Sequence, residues 1–313
     1  MREYRDKFDV AGFNHAQFDL SDLDDVRAKL QALSFDVLIN AAGFTNVDAC
    51  ETERDRAFLI NAEAPAVLAE ICSAKDAKLI HFSTDYVFDG EKRAPYTEED
   101  AANPISVYGE SKLAGEKNVM AVDDRHLVVR VSWVFGPDRP SFIDAMIKRA
   151  QENDKLDAIA DKFSTPTYTQ DIAEMLPRFF AAAPVAGIGD PGKNPQATKF
   201  AANAFETAAE AGVNAPGYNS TRDFGGILHF ANAGKCSWQE YAQWALDCCE
   251  RAGVSLKART VGACKLKDMK SWIARRPVYS VLSVPKYTEL TGTSPRAWRD
   301  AVADYITRFY SKK

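Results

Sequence analysis

Residues 107–116 read Val107-Tyr108-Gly109-Glu110-Ser111-Lys112-Leu113-Ala114-Gly115-Glu116 and place a tyrosine and a lysine four residues apart in a segment that is predicted to be helical. Residues with this spacing lie on the same face of a helix. An ammonium group close to a phenol favours the phenolate and lowers the phenol's pKa from about 10. The spacing of Tyr108 and Lys112 therefore predicts that the Tyr108 phenol, with its pKa lowered by Lys112, exchanges a proton with a carbonyl oxygen during hydride transfer.

Taken alone, the spacing also fits an exposed helix face that carries an amphipathic tyrosine. The upstream sequence favours the chemical role. His81-Phe82-Ser83-Thr84-Asp85-Tyr86-Val87-Phe88-Asp89-Gly90 follows an apolar run and brings hydroxyl and carboxyl side chains together. We interpret His81 as a strand residue with a satisfied ring and not as a catalytic base.

Strands and helices alternate along the first half of the chain. Predicted strands lie at 8–13, 35–40, 77–83, 125–133 and 156–159, and predicted helices lie at 23–33, 49–61, 65–73, around Tyr108 and at 141–152. Such alternation is typical of a parallel sheet with helices on both faces. We therefore predict an α/β fold with a Rossmann-like, doubly wound parallel sheet.

Small and polar residues follow three of these strands, at 40–43, 83–85 and 132–133. Parallel sheets bind ligands beyond the carboxyl ends of their strands. Ordinary strand-end turns are the alternative, but three such clusters together with the Tyr108 helix favour one shared crevice.

Composition limits the function classes. The chain has 313 residues, 46% hydrophobic and 27% charged residues, and a net charge of −5. It contains no long Lys/Arg run and no apolar stretch of membrane-spanning length, so we expect neither nucleic acid nor membrane partners. The six cysteines show no Cys-x-x-Cys spacing and no metal-ligand cluster, which favours reduced thiols in a cytoplasmic protein.

The second half is less regular. We predict a dinucleotide-binding domain over residues 1–160 and a smaller α/β substrate domain over 161–313, with the chain interleaving between them. Residues 187–226 are rich in Gly, Pro, Asn and Ala and are predicted to be an insertion with a helix at 196–211. Ser237 and Glu240 predict a capping box, and residues 298–310 predict a closing amphipathic helix.

Several motifs occur in the order found in one known family. They are Asn40-Ala41-Ala42-Gly43-Phe44-Thr45-x-Val47-Asp48-x-x-Glu51, Asn61-Ala62, Ser83-Thr84-Asp85-Tyr86-Val87-Phe88-x-Gly90, Tyr108-Gly109-x-Ser111-Lys112-x-x-Gly115-Glu116, Arg130-x-Ser132-Trp133-Val134-x-Gly136, Ser164-Thr165-Pro166-Thr167, Ser237-Trp238 and Ala274-Arg275-Arg276-Pro277. With these motifs the chain resembles the extended short-chain dehydrogenases, and among them the dTDP-4-dehydrorhamnose reductase family.

The resemblance implies an NADPH- or NADH-dependent reduction of a 4-keto nucleotide sugar. It makes Tyr108 the proton donor, Lys112 the residue that lowers the Tyr108 pKa and holds the nicotinamide ribose, and Thr84 the residue that orients the keto oxygen. Asp85 and Trp133 would contact the sugar, and without the resemblance a core aromatic residue is the close alternative for Trp133. Arg276 is a candidate for the nucleotide diphosphate, with a surface salt bridge as the equal alternative.

The resemblance also assigns cofactor contacts and a possible homodimer. Asp19 and Leu20 would lie near the adenine. The other implied cofactor contacts are Ala42, Gly43, Phe44, Thr45 and Phe82. Asn61 is expected to support the cofactor side of the fold. At the end of the predicted second strand, near Asn14 and His15, there is no clear acidic residue to hold the ribose hydroxyls, which allows NADPH.

The chain departs from the family at its start. The family begins with a strand and a glycine-rich loop around the cofactor pyrophosphate, whereas Gly12 is the first glycine here. We take residues 8–13 as the family's second strand and expect the natural protein to be longer by one strand-loop-helix unit. A non-catalytic regulatory subunit on the same scaffold, and a reductase or epimerase of another nucleotide sugar, are the alternative functions.

Overall fold

The described part of this computed structural model covers residues 3–180 and 224–311. In chain order its strands are β1 (Val37–Asn40), β2 (Lys78–Thr84), β3 (Leu127–Val131), β4 (Val134–Phe135), β5 (Leu156–Ile159), β6 (Phe163–Ser164), β7 (Thr167–Tyr168), β8 (Gly226–His229), β9 (Cys236–Ser237) and β10 (Val261–Cys264). Its α-helices are α1 (Leu23–Gln31), α2 (Val47–Thr52), α3 (Arg54–Phe58), α4 (Ala64–Ala74), α5 (Val107–Val122), α6 (Phe142–Glu152), α7 (Thr169–Met175), α8 (Trp238–Arg251), α9 (Pro285–Thr291) and α10 (Trp298–Phe309).

Four parallel strands form the central sheet in the order β1-β2-β3-β8. Successive side chains of a strand point to opposite faces. Leu79 and Val128 accordingly pack under α1, α4 and α5, whereas Ile80 and Val129 pack against α7 and α9. The predicted doubly wound parallel sheet is confirmed.

A second core lies around α6, α8 and α10. These helices bury an aromatic group that includes Phe135, Tyr168, Tyr241 and Tyr305, and β5 pairs with β10 beside it. Ser237 and Glu240 form the predicted capping box at the start of α8. The division of the chain at residue 160 stays a prediction.

The predicted strand at 8–13 is wrong, because these residues are not in a strand. A strand needs a neighbour for its backbone groups, and within residues 3–180 and 224–311 no strand lies beside this segment or beside the outer edge of β1. Phe8 and Val10 instead pack, as Val37 and Ile39 do, against the hydrophobic cluster on one face of the sheet.

The predicted insertion lies outside the described residues except for 224–226, where Gly226 begins β8, and the predicted helix at 196–211 lies wholly outside them. The helical run Arg54–Ala74 has the length and hydropathy of a membrane span. It includes α4, which buries Val67, Leu68 and Ile71 in the core. This packing explains its apolar character.

Candidate active site

Helix α5 is fixed at its start by two side chains that bond backbone N–H groups. Ser106 Oγ accepts a hydrogen bond from Gly109 N at 3.3 Å, and Glu51 Oε1 accepts one from Val107 N at 2.9 Å. A Cβ on Gly109 would lie 2.2 Å from the Tyr86 carbonyl oxygen. Glycine therefore lets this helix approach the turn that follows β2.

This approach brings Tyr108 to the end of β2. Its ring lies 5.7 Å from the Tyr86 ring in an edge-on arrangement. The buried Thr84 hydroxyl accepts from Tyr86 N at 3.2 Å. Burial raises the pKa of the Tyr108 phenol above its usual range, and a hydrogen bond with Thr84 opposes this rise. The structure therefore does not show the lowering of the Tyr108 pKa by Lys112 that the sequence predicted, because the effect of burial on this pKa is larger.

Lys112 lies one turn along α5 and is 4% exposed. Its Nζ donates to the Phe82 carbonyl oxygen at 2.7 Å and lies 3.3 Å from His81 Nε2. Burial lowers the pKa of Lys112 to about 8, and Glu116 acts against this lowering. The amine therefore loses its proton more readily than that of an exposed lysine.

The loop after β1 is attached to α5 by Asn61, which is fully buried. Asn61 Oδ1 accepts from Phe44 N at 2.8 Å, and Asn61 Nδ2 donates to Phe44 O at 3.0 Å and to Ser111 Oγ at 3.0 Å. A Cβ on Gly43 would lie 3.1 Å from Asn61 Oδ1 and 3.9 Å from Lys112 Nζ. The glycine keeps open the space beside the lysine where a cofactor ribose would lie, so these residues fit that end of NADPH or NADH.

The remaining predicted cofactor residues are spread around this loop. Ala42 and Thr45 are exposed in the loop, and Phe82 is half-buried in β2. Asp19 accepts hydrogen bonds from the backbone and side chain of Ser21 just before α1, and these bonds lower its pKa. No hydrogen bond in the described structure joins Asp19 or Leu20 to Thr84, Tyr108 or Lys112, so their roles stay predictions.

Asp85 lies under the site and is 2% exposed. Its Oδ2 accepts from Ser132 Oγ at 3.3 Å, from Ser164 Oγ at 3.1 Å and from Ser280 Oγ at 2.5 Å. Thr84 Oγ1 donates to its Oδ1 at 3.2 Å. Burial raises the Asp85 pKa, while Lys162 and the hydroxyl groups lower it. Asp85 thus holds the turn that carries Thr84, and its contact with a sugar stays a prediction.

Trp133 adopts a left-handed backbone conformation with φ of 41°. This conformation is strained for an aromatic residue, and such strain is concentrated at functional sites. Its ring packs 5.5 Å from Trp238 and 6.0 Å from Tyr241, beside a small cavity of about 80 Å³. The strain and the cavity are compatible with the predicted sugar contact, which no observation tests.

Arg276 lines a cavity of about 570 Å³. Its two Nη atoms donate to the Asp48 carboxylate at 3.1 and 2.7 Å, and its guanidinium lies 3.8 Å from the Trp272 ring centroid. The salt bridge that we considered as the alternative is therefore present. The same cavity is lined by the exposed Arg275 and by Lys267, so the contact of Arg276 with a diphosphate stays a prediction.

Sequence reasoning missed a buried ion pair behind Lys112. Arg130 donates to Glu116 from Nε at 2.9 Å and from Nη2 at 2.7 Å, and Ser83 Oγ donates to the same carboxylate at 2.5 Å. Glu116 lies four residues after Lys112, so the helical period alone could have placed it on the lysine's face.

Lys162 was also missed, although it is fully buried. Its Nζ donates to the Pro277 carbonyl oxygen at 2.7 Å and lies 5.1 Å from the Tyr86 ring and 5.8 Å from the Trp133 ring. Burial lowers its pKa to about 8. No local sequence signal marks this lysine. Among the described residues, no group of His, Cys, Asp and Glu side chains is placed to hold a metal ion.

The chain is similar in sequence and in structure to known proteins. The sequence model of the RmlD substrate binding domain family matches residues 2–185 and 183–311. The chain belongs to this family. Its motifs at Thr84, Tyr108 and Lys112 are the ones that suggested the resemblance to dTDP-4-dehydrorhamnose reductases, and the family match now confirms it.

Individual relatives cover nearly the whole chain. It is 34% identical to dTDP-4-dehydrorhamnose reductase of Mycolicibacterium smegmatis over 95% of this chain and 77% of the relative. It is 33% identical to a probable dTDP-4,6-dihydroxy-2-methyloxan-3-one 4-ketoreductase of Streptomyces antibioticus, over 95% of this chain and 85% of the relative. The crystal structure of dTDP-4-dehydrorhamnose reductase from Bacillus anthracis in complex with NADP matches with a TM-score of 0.78 and 25% identity, over 97% of this chain and 91% of the other.

Proposed function

We propose that this protein is a dTDP-4-dehydrorhamnose reductase, which reduces the C4 keto group of dTDP-6-deoxy-L-lyxo-4-hexulose to give dTDP-L-rhamnose. The observation that carries the proposal is the grouping of Thr84, Tyr108 and Lys112 beyond the carboxyl end of β2. Membership of the RmlD substrate binding domain family and the reductases among its relatives support it.

Tyr108 is the proposed proton donor. Its phenol is protonated at neutral pH, although burial raises its pKa and makes it a weaker acid than an exposed tyrosine. Reduction of a carbonyl adds one hydride to carbon and one proton to oxygen, and Tyr108 gives that proton to the alkoxide that forms at C4. The Thr84 hydroxyl has a single proton, which it donates to Asp85 Oδ1 in this structure; on turning towards the substrate it would donate to the same C4 oxygen and stabilise the charge that develops there.

NADPH or NADH supplies the hydride when it is bound. Lys112 and the space beside Gly43 would hold its nicotinamide ribose, with Phe44 and Thr45 along the same loop. We assign Asp19 and Leu20 to contacts with the adenine end of the cofactor. We assign Ala42 and Phe82 to contacts with the part of the cofactor between its adenine and nicotinamide ends.

The nucleotide part of the substrate is assigned to the 570 Å³ cavity beside Arg276. A diphosphate would compete with Asp48 for the planar guanidinium, which already binds a carboxylate in a bidentate way. We assign Trp133 and Asp85 to the path of the sugar between this cavity and Tyr108. We also propose a cytoplasmic location, which its six free thiols suit, and a homodimer.

The test is oxidation of NADPH in the presence of the 4-keto sugar, followed by identification of the product. Tyr108→Phe removes the donor proton and is expected to lower kcat by about 10²–10⁴-fold. Tyr287→Phe is the matched control, because Tyr287 is a buried tyrosine on α9, and this variant is expected to leave kcat unchanged. Equal rates for wild type and Tyr108→Phe would contradict the proposal.

The relative from Streptomyces antibioticus acts as a 4-ketoreductase on a different dTDP sugar by its name, which makes a sibling reductase the second candidate. Turnover of another nucleotide sugar with no turnover of the rhamnose precursor would establish that candidate. Cofactor binding without turnover of any dTDP-, GDP- or UDP-sugar would instead favour the non-catalytic subunit.

A further inference from the structure

A buried chain of hydrogen bonds connects Lys112 with the loop after β1. His81 Nε2 lies 3.3 Å from Lys112 Nζ, and His81 Nδ1 lies 3.0 Å from Asn40 Nδ2. Asn40 Oδ1 accepts a hydrogen bond from Ala42 N at 3.1 Å. His81 is fully buried and Asn40 is 5% exposed, so each contact depends on the proton positions of the next group.

The donors and acceptors along this chain fix the tautomer of His81. A backbone N–H only donates, so the contact with Ala42 assigns the oxygen of the Asn40 amide to the loop and its NH₂ group to His81. His81 Nδ1 must then accept, and the neutral ring carries its proton on Nε2. An Nε2–H group facing Lys112 can bond only a neutral amine, because an ammonium has three donors and no acceptor.

A charged Lys112 requires the opposite arrangement. Its ammonium donates to His81 Nε2, so the ring proton must lie on Nδ1. That proton needs an acceptor, which the Asn40 amide supplies only by turning its oxygen towards the ring. The Ala42 N–H then loses its partner. In the balanced step, the amine with an Nε2–H ring takes up one proton from solvent and becomes the ammonium with an Nδ1–H ring.

We propose that His81 and Asn40 form a hydrogen-bond switch that couples the protonation of Lys112 to the backbone N–H of Ala42. Ala42 lies in the exposed loop that faces the proposed cofactor site. A ligand acceptor at its N–H favours the ammonium form of Lys112, and the ammonium form favours that ligand, because linkage is reciprocal. The identity of the ligand as NADPH or NADH rests on the proposed function. His81 and Asn40 act through Lys112 and are positioning residues.

The surroundings of His81 keep its imidazole neutral, so the switch changes only the position of the ring proton. Burial, and then the charge of Lys112, keep the pKa of His81 well below its usual value. Glu116 is the charged group that acts on Lys112, and it is itself paired with Arg130. The other titratable groups on α5 and on the elements packed against it are Asp48, Cys50, Glu51, Arg54, Asp55, Arg56, Glu63, Glu70, Cys72, Lys78, Asp85, Tyr86, Tyr108, Glu110 and Lys117.

The chain has four histidines, so nuclear magnetic resonance of protein labelled with ¹⁵N-histidine can report the tautomer of each ring without any cofactor. The expected result is that His81 changes from the Nδ1–H to the Nε2–H tautomer as the pH rises through the Lys112 pKa of about 8. The Ala42 amide proton is expected to shift with the same midpoint. Lys112→Met should abolish both changes.

Two outcomes would overturn the switch. One is a single His81 tautomer from about pH 6 to about pH 10 in folded protein, a range that brackets the histidine and lysine transitions. The other is a transition that persists in Lys112→Met. Neither experiment needs turnover, so an inactive protein would refute the proposed function and leave this test intact.

Amide variants at position 81 separate the two contacts of the ring. His81→Gln keeps a polar group near Lys112, and His81→Asn keeps one near Asn40. Because the coupling needs both contacts, each variant is expected to remove the pH-dependent shift of the Ala42 amide while retaining the thermal unfolding profile of a folded protein. His126→Asn is the matched control, since the buried His126 bonds Leu79 N at 3.2 Å and lies 3.2 Å from the Ala69 carbonyl oxygen. A retained Ala42 shift in both His81 variants would also refute the switch.

Discussion

Removing one charge from the Glu116–Arg130 pair should destabilise the protein strongly. The two side chains are 1% and 3% exposed. The carboxylate accepts two hydrogen bonds from Arg130, at 2.9 and 2.7 Å, and one from Ser83 at 2.5 Å. In Glu116→Gln the guanidinium remains buried with one neutral acceptor in place of the carboxylate. Breaking such a pair typically costs about 3–5 kcal/mol, and the retained carbonyl oxygen places our expectation at about 3 kcal/mol.

Urea unfolding followed by circular dichroism measures this loss. With a denaturant slope of about 3 kcal/mol per molar, the expected midpoint is lower than that of wild type by about 1 M. The control is Glu70→Gln, which breaks the exposed Arg27–Glu70 pair of equal length, 2.7 Å, and should cost about 0–1 kcal/mol. The reasoning is refuted if Glu116→Gln unfolds at the same urea concentration as Glu70→Gln.

Three further results are expected. Gly115→Ala should lower the free energy of unfolding by about 1–3 kcal/mol, because its Cβ would lie 2.1 Å from a backbone oxygen; an unchanged melting temperature would contradict this. The hydrogen bond with Arg276 lowers the pKa of Asp48, so the stability that Asp48 contributes is present above the ordinary aspartate pKa of about 3.9 and is lost as the pH falls. The difference in unfolding free energy between wild type and Asp48→Asn should therefore shrink on acidification, and a constant difference would count against this expectation. A thiol reagent should modify the half-buried Cys264 before Cys72, whose pKa burial raises to about 12; equal labelling rates, read by mass spectrometry, would disprove this order.

The sequence predicted the elements whose signals are local. Helix α5 was predicted as the helical segment that carries Tyr108 and Lys112 four residues apart, and the structure places both residues in it. The strand at 8–13 failed because a strand depends on a neighbour, which apolar character alone does not supply. Contacts between residues far apart in the sequence could not be predicted from local patterns either. Lys162 donates a hydrogen bond to the Pro277 carbonyl oxygen across 115 residues, and Ser280 donates one to Asp85 across 195 residues.

Burial explains why the site depends on these distant contacts. Asp85 and Lys162 are buried, and burial acts against the charged form of each. Each also favours ionisation of the other, while three serine hydroxyls donate to Asp85 Oδ2. Because an unpaired buried charge is costly, the turn with Thr84 depends on segments from both halves of the chain that supply these partners. The motif at Thr84, Tyr108 and Lys112 therefore carries the chemistry that we propose, and the distant hydroxyls and Lys162 hold in place the turn on which Thr84 lies.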